Sequence, residues 1–509
     1  AVGGAAYAAG PMSLPLLDSL GRAGSVVLTV DNAGSNLLGW SGSNADALHG
    51  DYLLALSAGG DSYFGLPGAT GTLSYSITGL AINTPYDLTF LHSTVANRGI
   101  DFTANGETAS VSGAVPSSTI TVMSDGSGVI SGTGVYTGAE GNWAGLGIRT
   151  VSVASRQEEG LASALDEPLA GNICFVMGAY GLDTRNSEAD TYLLTMQDEF
   201  QANNYADFHW TGYQLERIYW LYSSQSTIYP GRMSTAAETA VLEMLWEWAS
   251  AECEIGMADP AYINYLWVSE NHHIMAWVTY WGAAQIFASH PVYSTYNYDD
   301  GSTPAEMAAE FDAYFKAWFR DRSSKNLLVE VASPIYAKYS LNALFNLVDF
   351  ATDLELKAAS SSYLDIYFAE WALEQIDGVR GGSRHRCYPG YYSVHHGGGA
   401  EHAWYLFGLG GGPSTHFGVL SAMTTFWRPS PATVGLALDT MGRGSYSYTS
   451  RPLGLSDQAG GVNPPVYGTY ALDPDGGSLL RTTWCTPDFM MGMSQMEARS
   501  ESDWTRISS

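Results

Sequence analysis

The hydrophobic pattern of this chain changes its period near residue 155, and that change restricts the fold more than any other feature. Before it, short runs such as 25–30 and 118–122 alternate apolar and polar residues, with turn signals between them. After it, apolar residues recur at helical spacing, as at Met307, Phe311, Tyr314, Phe315, Trp318 and Phe319. A period of two predicts strands and a period of 3.6 predicts helices. The chain therefore combines a β part with an α part.

We predict a multidomain protein. Residues 1–155 are expected to form an antiparallel β-sandwich that could bind carbohydrate, and the polar stretch 155–159 marks its end. Helical faces then recur at short intervals, at 188–203, 208–223, 235–252, 268–289, 340–352 and 354–377. Such a series favours helical hairpins closed into an (α/α) toroid over 160–442. We expect 443–509 to begin a further β-rich region that continues beyond the sequence given.

The charge balance is strongly acidic. The 509 residues include 51 acidic and 22 basic side chains, a formal net charge of −29. Such a field repels nucleic acid and anionic membranes, so we expect neither as a partner. It would also repel an anionic polysaccharide unless positive charge were concentrated in one place.

The location of the protein is predicted from its ends and its apolar runs. The sequence starts without methionine, which fits a mature protein whose signal peptide has been removed. No run reaches the roughly 18 apolar residues of a spanning helix, and four cysteines allow one or two disulfides at most. We expect a secreted or cell-surface protein, extracellular or periplasmic in a bacterium, with no membrane insertion and an unknown oligomeric state.

Positive charge is concentrated in one segment, 378–400. It contains no acidic residue, although one residue in ten of the chain is acidic, and it holds three Arg, three His and three Tyr. Its glycines predict a loop, and loops on a rigid scaffold commonly carry function. Ion pairing with neighbouring acids on a solvated surface is the plainer interpretation for one arginine. For this density of cations we favour binding of a carboxylate or sulfate.

The residue types of this loop and of two earlier segments, 267–273 and 330–336, suit β-elimination on a uronic acid. The C5 proton of a uronate is weakly acidic until the adjacent carboxylate is neutralised by Asn, His, Arg or a protonated Glu. A base such as Tyr or His then removes it, and an acid protonates the departing O4. The chain offers Asn271, His272, Glu330, Arg386 and Tyr392 for these catalytic parts. Further candidates for substrate binding are Trp267, His273, Tyr336, Arg384 and His396.

Four motifs resemble a known family of toroidal enzymes. They are Ser-Glu-Asn-His at 269–272, Glu-x-x-Ser-Pro-x-Tyr at 330–336 followed by 344–351, the Arg/Tyr loop, and Thr-Pro-Asp-Phe at 486–489. Together they are similar to the alginate/glucuronan lyases of the thirty-eighth polysaccharide lyase family, over 165–495 but not the N-terminal part. The resemblance implies that Asn271 and Glu330 neutralise the carboxylate, that Tyr392 is the acid/base and that Arg386 assists it.

The resemblance also implies a histidine about a turn after Glu330, where position 337 is alanine. Either His272, His273 or one of the later histidines, which are His395, His396 and His402, substitutes for it, or the activity is altered or absent.

Other interpretations stay open. An inverting glycoside hydrolase on the same scaffold would use Glu270 and Glu330. A non-catalytic adhesin or assembly subunit would use the helices only as a scaffold. No cofactor is expected, although His395, His396, Glu401 and His402 have spacing that would suit zinc, and the turn 296–301 gives a weak calcium signal. Trp40 and Trp143 are either sugar platforms or core residues. Cys387, beside Arg386, is either a reactive thiol or a packed cysteine.

Overall fold

The computed structural model of the protein describes most of the chain, with gaps. The described residues are 12–18, 23–31, 38–40, 52–53, 63–65, 72–80, 85–92, 99–112, 114–115, 117–137, 142–143, 145–150, 153–167, 173–203, 207–386, 397–410, 412–438, 440–455, 470–473 and 479–496. The chain divides into two compact units, Ala1–Ser152 and Val153–Ser509. The second unit holds the helices together with the C-terminal strands.

The N-terminal unit is built from antiparallel strands. They are β1 (Met12–Asp18), β2 (Ala23–Asp31), β3 (Leu38–Trp40), β4 (Tyr52–Leu53), β5 (Tyr63–Gly65), β6 (Thr72–Thr78), β7 (Pro85–Leu91), β8 (Gly99–Ala104), β9 (Glu107–Ser112), β10 (Ser117–Met123), β11 (Ile130–Tyr136), β12 (Asn142–Trp143) and β13 (Gly145–Thr150). Ten of them form one sheet in the order β10-β7-β13-β4-β1-β2-β6-β11-β8-β9, and β12-β5-β3 form a second.

The period-two pattern explains how this unit buries its core. In β2 the alternate side chains of Val26, Leu28 and Val30 are buried, as the alternation predicted. Phe90 of β7 stacks on Phe102 of β8 with ring centroids 4.1 Å apart, although β7 and β8 lie near opposite ends of the ten-stranded sheet. The sheet therefore curls until its ends face each other, which is a sandwich-like arrangement.

The second unit is mainly helical. Its α-helices in the described residues are α1 (Val153–Leu165), α2 (Ile173–Gly181), α3 (Asn186–Ala202), α4 (Gly212–Tyr222), α5 (Thr235–Glu252), α6 (Glu270–Ser289), α7 (Pro304–Ser324), α8 (Ala337–Phe350), α9 (Leu354–Leu373), α10 (Ala400–Phe407), α11 (Pro431–Leu438) and α12 (Thr440–Arg443). The predicted face of α7 is buried at all six positions. A capping box between Thr303 and Glu306 begins this helix, with Pro304 in its first turn.

Burial divides the helices into two kinds. Helices α4, α6 and α8 are buried along almost their whole length and pack on one another. Helices α5, α7 and α9 bury one face, and each packs on at least one of the first three. A helix that is buried all round belongs in an inner layer, so α4, α6 and α8 lie inside and the other three lie outside. Closure of the hairpins into a ring stays a prediction.

Two features of this unit differ from the sequence analysis. The polar stretch 155–159 was expected to mark the end of the β part, but it lies inside α1. Its Arg156 is buried and donates to the backbone carbonyls of Tyr405 and Leu406. Short strands also occur where only helices were expected, namely β14 (Tyr265–Leu266), β15 (Gln375–Ile376) and β16 (Val379–Arg380).

The described residues of the second unit include five further strands. They are β17 (Tyr446–Ser450), β18 (Gly454–Leu455), β19 (Tyr470–Asp473), β20 (Leu479–Cys485) and β21 (Met490–Met496). Four buried charges join this region to α9. Arg380 and Arg481 each bond to both Glu370 and Glu374, with nitrogen–oxygen distances from 2.9 to 3.3 Å. The C-terminal strands are thus connected to the helices by a closed ion-pair network. No helix in the described part of the chain is long and apolar enough to cross a bilayer.

Candidate functional site

Three residues far apart in sequence meet in the second unit. Asn271 lies in the first turn of α6, Glu330 lies between α7 and α8, and Arg386 lies in the loop after β16. Nη1 of Arg386 donates to Oδ1 of Asn271 at 2.7 Å and also donates to Oε1 of Glu330. Ser269 also donates its hydroxyl to Oδ1 of Asn271, at 2.8 Å. We call Asn271, Glu330 and Arg386 the buried triad, because none is more than 2% exposed.

The backbone around the triad is held in rarely used conformations. Val268, Ala332 and Arg386 have φ of 61°, 53° and 51°, in the left-handed region that glycine favours. Side-chain and backbone bonds keep the loop there, since Ser333 donates its hydroxyl to the carbonyl of Arg386 and the amide of His385 donates to the carbonyl of Val331. Strain of this kind is concentrated at functional sites, which favours a functional role for this position.

Burial decides the charge of the triad. It raises the pKa of Glu330 to about 8, more than the Arg386 guanidinium lowers it, and the neighbouring Glu270 raises it further. Burial likewise raises the pKa of Glu270, whose Oε2 accepts from the amide of Glu330 at 2.7 Å. Glu330 is therefore mostly protonated at neutral pH, and the positive charge of Arg386 is not cancelled by it.

Some polar atoms of the triad have unused hydrogen-bonding capacity. Within the described residues, Oε2 of Glu330 and Nδ2 of Asn271 are buried and have no hydrogen-bond partner. Buried polar atoms normally have partners. A protonated carboxyl, an amide and a guanidinium together would suit an anionic group.

An aromatic wall adjoins the triad. We use this name for Trp210, Trp267, Tyr336 and Tyr339. The guanidinium carbon of Arg386 lies 3.8 Å from the ring centroid of Tyr336, a cation–π contact. The rings of Tyr336 and Tyr339 are 6.4 Å apart, and Trp210 stands edge-on to Tyr339 at 5.0 Å. Three of the four are half-buried and Tyr339 is buried, so the wall offers ring surface beside the cation.

The predicted histidines have different surroundings. His272 is half-buried, and its ring lies 5.0 Å from Trp210. Its Nδ1 is 2.7 Å from Nε2 of His209. Sequence reasoning missed His209, because a single histidine between Phe208 and Trp210 carries no pattern that marks it.

His273 does not have the surroundings expected of a substrate-binding residue. It is 3% exposed and stacks on Trp277. Its Nε2 lies 2.8 Å from the hydroxyl of Tyr314, and its Nδ1 accepts from the amide of Trp267 at 3.2 Å. Both ring nitrogens are used inside the protein, so we assign His273 to the core.

The arginines of the loop are divided between two places. Arg380 belongs to the buried network with Glu370 and Glu374. Arg384 is partly buried and donates to the carbonyl of Arg380, while Arg386 is in the triad. An arginine on a surface loop would be exposed, whereas Arg386 is buried and donates to both Asn271 and Glu330.

Part of the predicted site lies outside the described residues. The segment 387–396 includes Tyr392, the proposed acid/base, together with Cys387, His395 and His396. Of the other cysteines, Cys174, Cys253 and Cys485 are buried free thiols. Trp40 and Trp143 lie in β3 and β12, but the structure does not describe their side chains.

No metal centre is found among the residues that the structure describes. Glu401 pairs with Lys338 at 3.5 Å, and His402 is fully buried and stacks on Phe345. In the turn suggested for calcium, Asp300 instead accepts from the backbone amides of Ile255 and Ser302. The zinc and calcium sites stay predictions, and His395 and His396 of the zinc set lie outside the described residues.

An open cavity of about 870 Å³ lies near the aromatic wall. Lys338, Glu401, Trp404 and His416 are among its lining residues, and the triad is not. It adjoins the wall through His416, whose ring is 5.8 Å from that of Tyr339. The cavity and the triad are therefore neighbouring but separate features.

Comparison with known proteins gives few matches. No family model matches the chain, and no curated protein matches it. It is similar to a native family 35 carbohydrate-binding module from Clostridium thermocellum, at 14% identity over 30% of this chain and 100% of the module, with a TM-score of 0.15. A second such module, solved with a disaccharide that contains glucuronic acid, is 18% identical over 24% of this chain and 97% of the module, also at 0.15.

The module of Cellvibrio japonicus Abf62 is 17% identical over 24% of this chain and 98% of that module, again with a TM-score of 0.15. These neighbours are carbohydrate-binding modules. The similarity is too weak to carry an argument about this chain.

Proposed function

We propose that the protein cleaves a uronic-acid polysaccharide by β-elimination, and that its second unit is a lyase-like (α/α) toroid. The observation that carries the proposal is the triad, which places the guanidinium of Arg386 beside Asn271, a protonated Glu330 and the ring of Tyr336 in a chain of net charge −29. A local positive charge is what an anionic polymer needs in order to bind such a chain.

The proposed reaction assigns a part to each group. Arg386, Asn271 and protonated Glu330 are buried, so they stabilise the negative charge that develops at C5 through their electrostatic field and not by direct contact. Their burial makes the half-buried His272, Tyr336 and Trp267 the residues that contact the sugar. A base takes the C5 proton, the C5–H electron pair becomes the C4–C5 double bond, and the C4–O bond breaks. The departing oxygen takes a proton from an acid. Tyr392 is the proposed acid/base.

The test follows the new double bond. The full chain is incubated with alginate, glucuronan, hyaluronan and pectin, and ultraviolet absorbance of the unsaturated product is recorded. Asn271→Ala should lower the rate about 10- to 100-fold, because Arg386 loses the buried oxygen that orients it. Asn203→Ala, at the exposed end of α3, is the matched control and should leave the rate unchanged. Absence of absorbance with every uronate would overturn the proposal.

A glycoside hydrolase is the second candidate, and it is less well supported. An inverting pair needs one ionised carboxylate and room for a water molecule between the two groups. Here burial raises the pKa of both Glu270 and Glu330, and Glu270 accepts a hydrogen bond from the backbone of Glu330. New reducing ends without new absorbance would favour the hydrolase. Neither product, with binding retained, would favour an adhesin or assembly subunit.

A further inference from the structure

A direct hydrogen bond joins two histidines beside the triad. Nε2 of His209 lies 2.7 Å from Nδ1 of His272. His209 comes from the short 3-10 helix Phe208–Trp210, and His272 comes from the first turn of α6, one residue after Asn271. The structure therefore brings to the site a histidine that sequence reasoning did not identify.

The two imidazole rings are held by aromatic neighbours. Trp267 lies edge-on to His209 at 5.1 Å, and Trp210 lies edge-on to His272 at 5.0 Å. His209 is 2% exposed, so it cannot touch a polysaccharide. Any part that it has in the reaction is exerted through His272.

The bond between the two rings contains one hydrogen. Burial lowers the pKa of His209 to about 3, and the adjacent His272 lowers it further, so His209 is neutral at neutral pH. If His209 donates, His272 accepts at Nδ1 and carries its own hydrogen on Nε2. If a neutral His272 donates through Nδ1, its Nε2 is an acceptor instead. The direction of this hydrogen bond therefore decides whether Nε2 of His272 is a donor or an acceptor.

We propose that His209 is a positioning residue that donates Nε2–H to Nδ1 of His272 and so holds His272 in the Nε2–H form. This inference rests on the proposed function, because a substrate carboxylate needs a donor at His272 and would be repelled by a lone pair. Position 337 is alanine where the resemblance implies a histidine. The His209–His272 pair supplies an imidazole donor from a different part of the fold.

The direct test is the tautomer of His272. The full chain is labelled with ¹⁵N-histidine, and two-bond nitrogen–carbon-bound-hydrogen correlations are recorded at neutral pH. The His272 signals are assigned by their loss in His272→Gln. We expect Nδ1 without a proton and Nε2 with one. The opposite pattern in the wild-type protein overturns the inference, whether or not the protein has activity.

Variants test the consequence for the reaction. His209→Gln retains an N–H donor and should keep the His272 tautomer and most of the activity. His209→Ala should lower kcat about tenfold to a hundredfold with a smaller change in KM, as loss of groups that orient a histidine does. His290→Gln, a half-buried histidine away from the site, is the control. Equal kcat in wild type and His209→Ala overturns the positioning role.

The two proposals fail separately. A wild-type protein without activity on any uronate removes the proposed function, while the tautomer measurement still decides whether His209 donates. An active wild type with His272 in the other tautomer removes only the inference about His209.

Discussion

Arg386 and Asn271 are 115 residues apart in sequence, and their side chains are joined by a hydrogen bond of 2.7 Å. The same guanidinium is paired with Glu330 and stacked on Tyr336. Arg386 therefore connects the loop after β16 to the start of α6 and to the segment before α8. Its removal affects both stability and chemistry, and the two effects need separate measurements.

We expect Arg386→Ala to lower the free energy of unfolding by about 1–3 kcal/mol, because it leaves buried oxygens of Asn271 and Glu330 without their hydrogen-bond donor. Arg320→Ala is the control, since its ion pair with Glu355 is 77% and 65% exposed. An exposed pair contributes about 0–1 kcal/mol. Urea titration of both variants checks this. Equal losses in the two would mean that Arg386 is not held by the triad.

Glu330→Gln should change how stability depends on pH. The folded-state pKa of Glu330 is raised to about 8 by burial, above the value of about 4.3 in an unfolded chain. The bound proton stabilises the fold fully below about pH 4, and this contribution is lost as pH rises through 8. Glutamine cannot titrate. The stability of wild type relative to Glu330→Gln should therefore fall between pH 5 and 8.

Urea titrations of both proteins at pH 5, 6, 7 and 8 measure that difference. Glu270 is present in both proteins, so its own raised pKa largely cancels. A difference that stays constant, or that grows with pH, would show that Arg386 keeps Glu330 ionised.

Arg481→Ala should destabilise the second unit by about 3–5 kcal/mol. Arg481 is 1% exposed and pairs with Glu370 and Glu374 at 2.9 Å, so its loss leaves buried carboxylates without one of their two cations. Arg451→Ala, at an exposed position, should change little. Thermal unfolding followed by far-ultraviolet circular dichroism compares them, and similar melting temperatures would contradict the expected cost.

Two helical glycines provide a test of packing. A Cβ at Gly282 of α6 would lie 2.2 Å from Oε2 of Glu216, whereas one at Gly435 of α11 would meet no atom within 4 Å. Gly282→Ala should cost about 1–3 kcal/mol through overpacking. Gly435→Ala should stabilise by about 0.5–1 kcal/mol, because alanine favours a helix. Denaturant unfolding measures both, and a neutral Gly282→Ala would show that Glu216 can move aside.

The sequence allowed the local elements to be predicted better than their assembly. The face of α7 and the alternation of β2 follow from residues a few positions apart, and the structure has both. The strand pairs within the mainly helical unit form between segments that are distant in sequence. Tyr265, for example, pairs with Ala471. No local period in the sequence could reveal such a contact.

The site was also predicted only in part, because it depends on contacts between residues that are distant in sequence. Asn271, Glu330 and Arg386 stood out by residue type, and the structure brings them together. Burial could not be read from their spacing, so the sequence predicted that Arg386 lies on a loop but not that it is buried. His209 carried no signal at all, because its importance comes from the ring that lies next to it in space.

The buried network of Arg380, Arg481, Glu370 and Glu374 limits how this unit can be moved between proteins. Its members lie in α9, at the residue that follows α9, in β16 and in β20. A gene fusion that ends after the last helix would therefore separate the two carboxylates from Arg481. The portable module is therefore the whole span from α1 to β21. We expect recombination within this span to be tolerated only where all four residues of the network are transferred together.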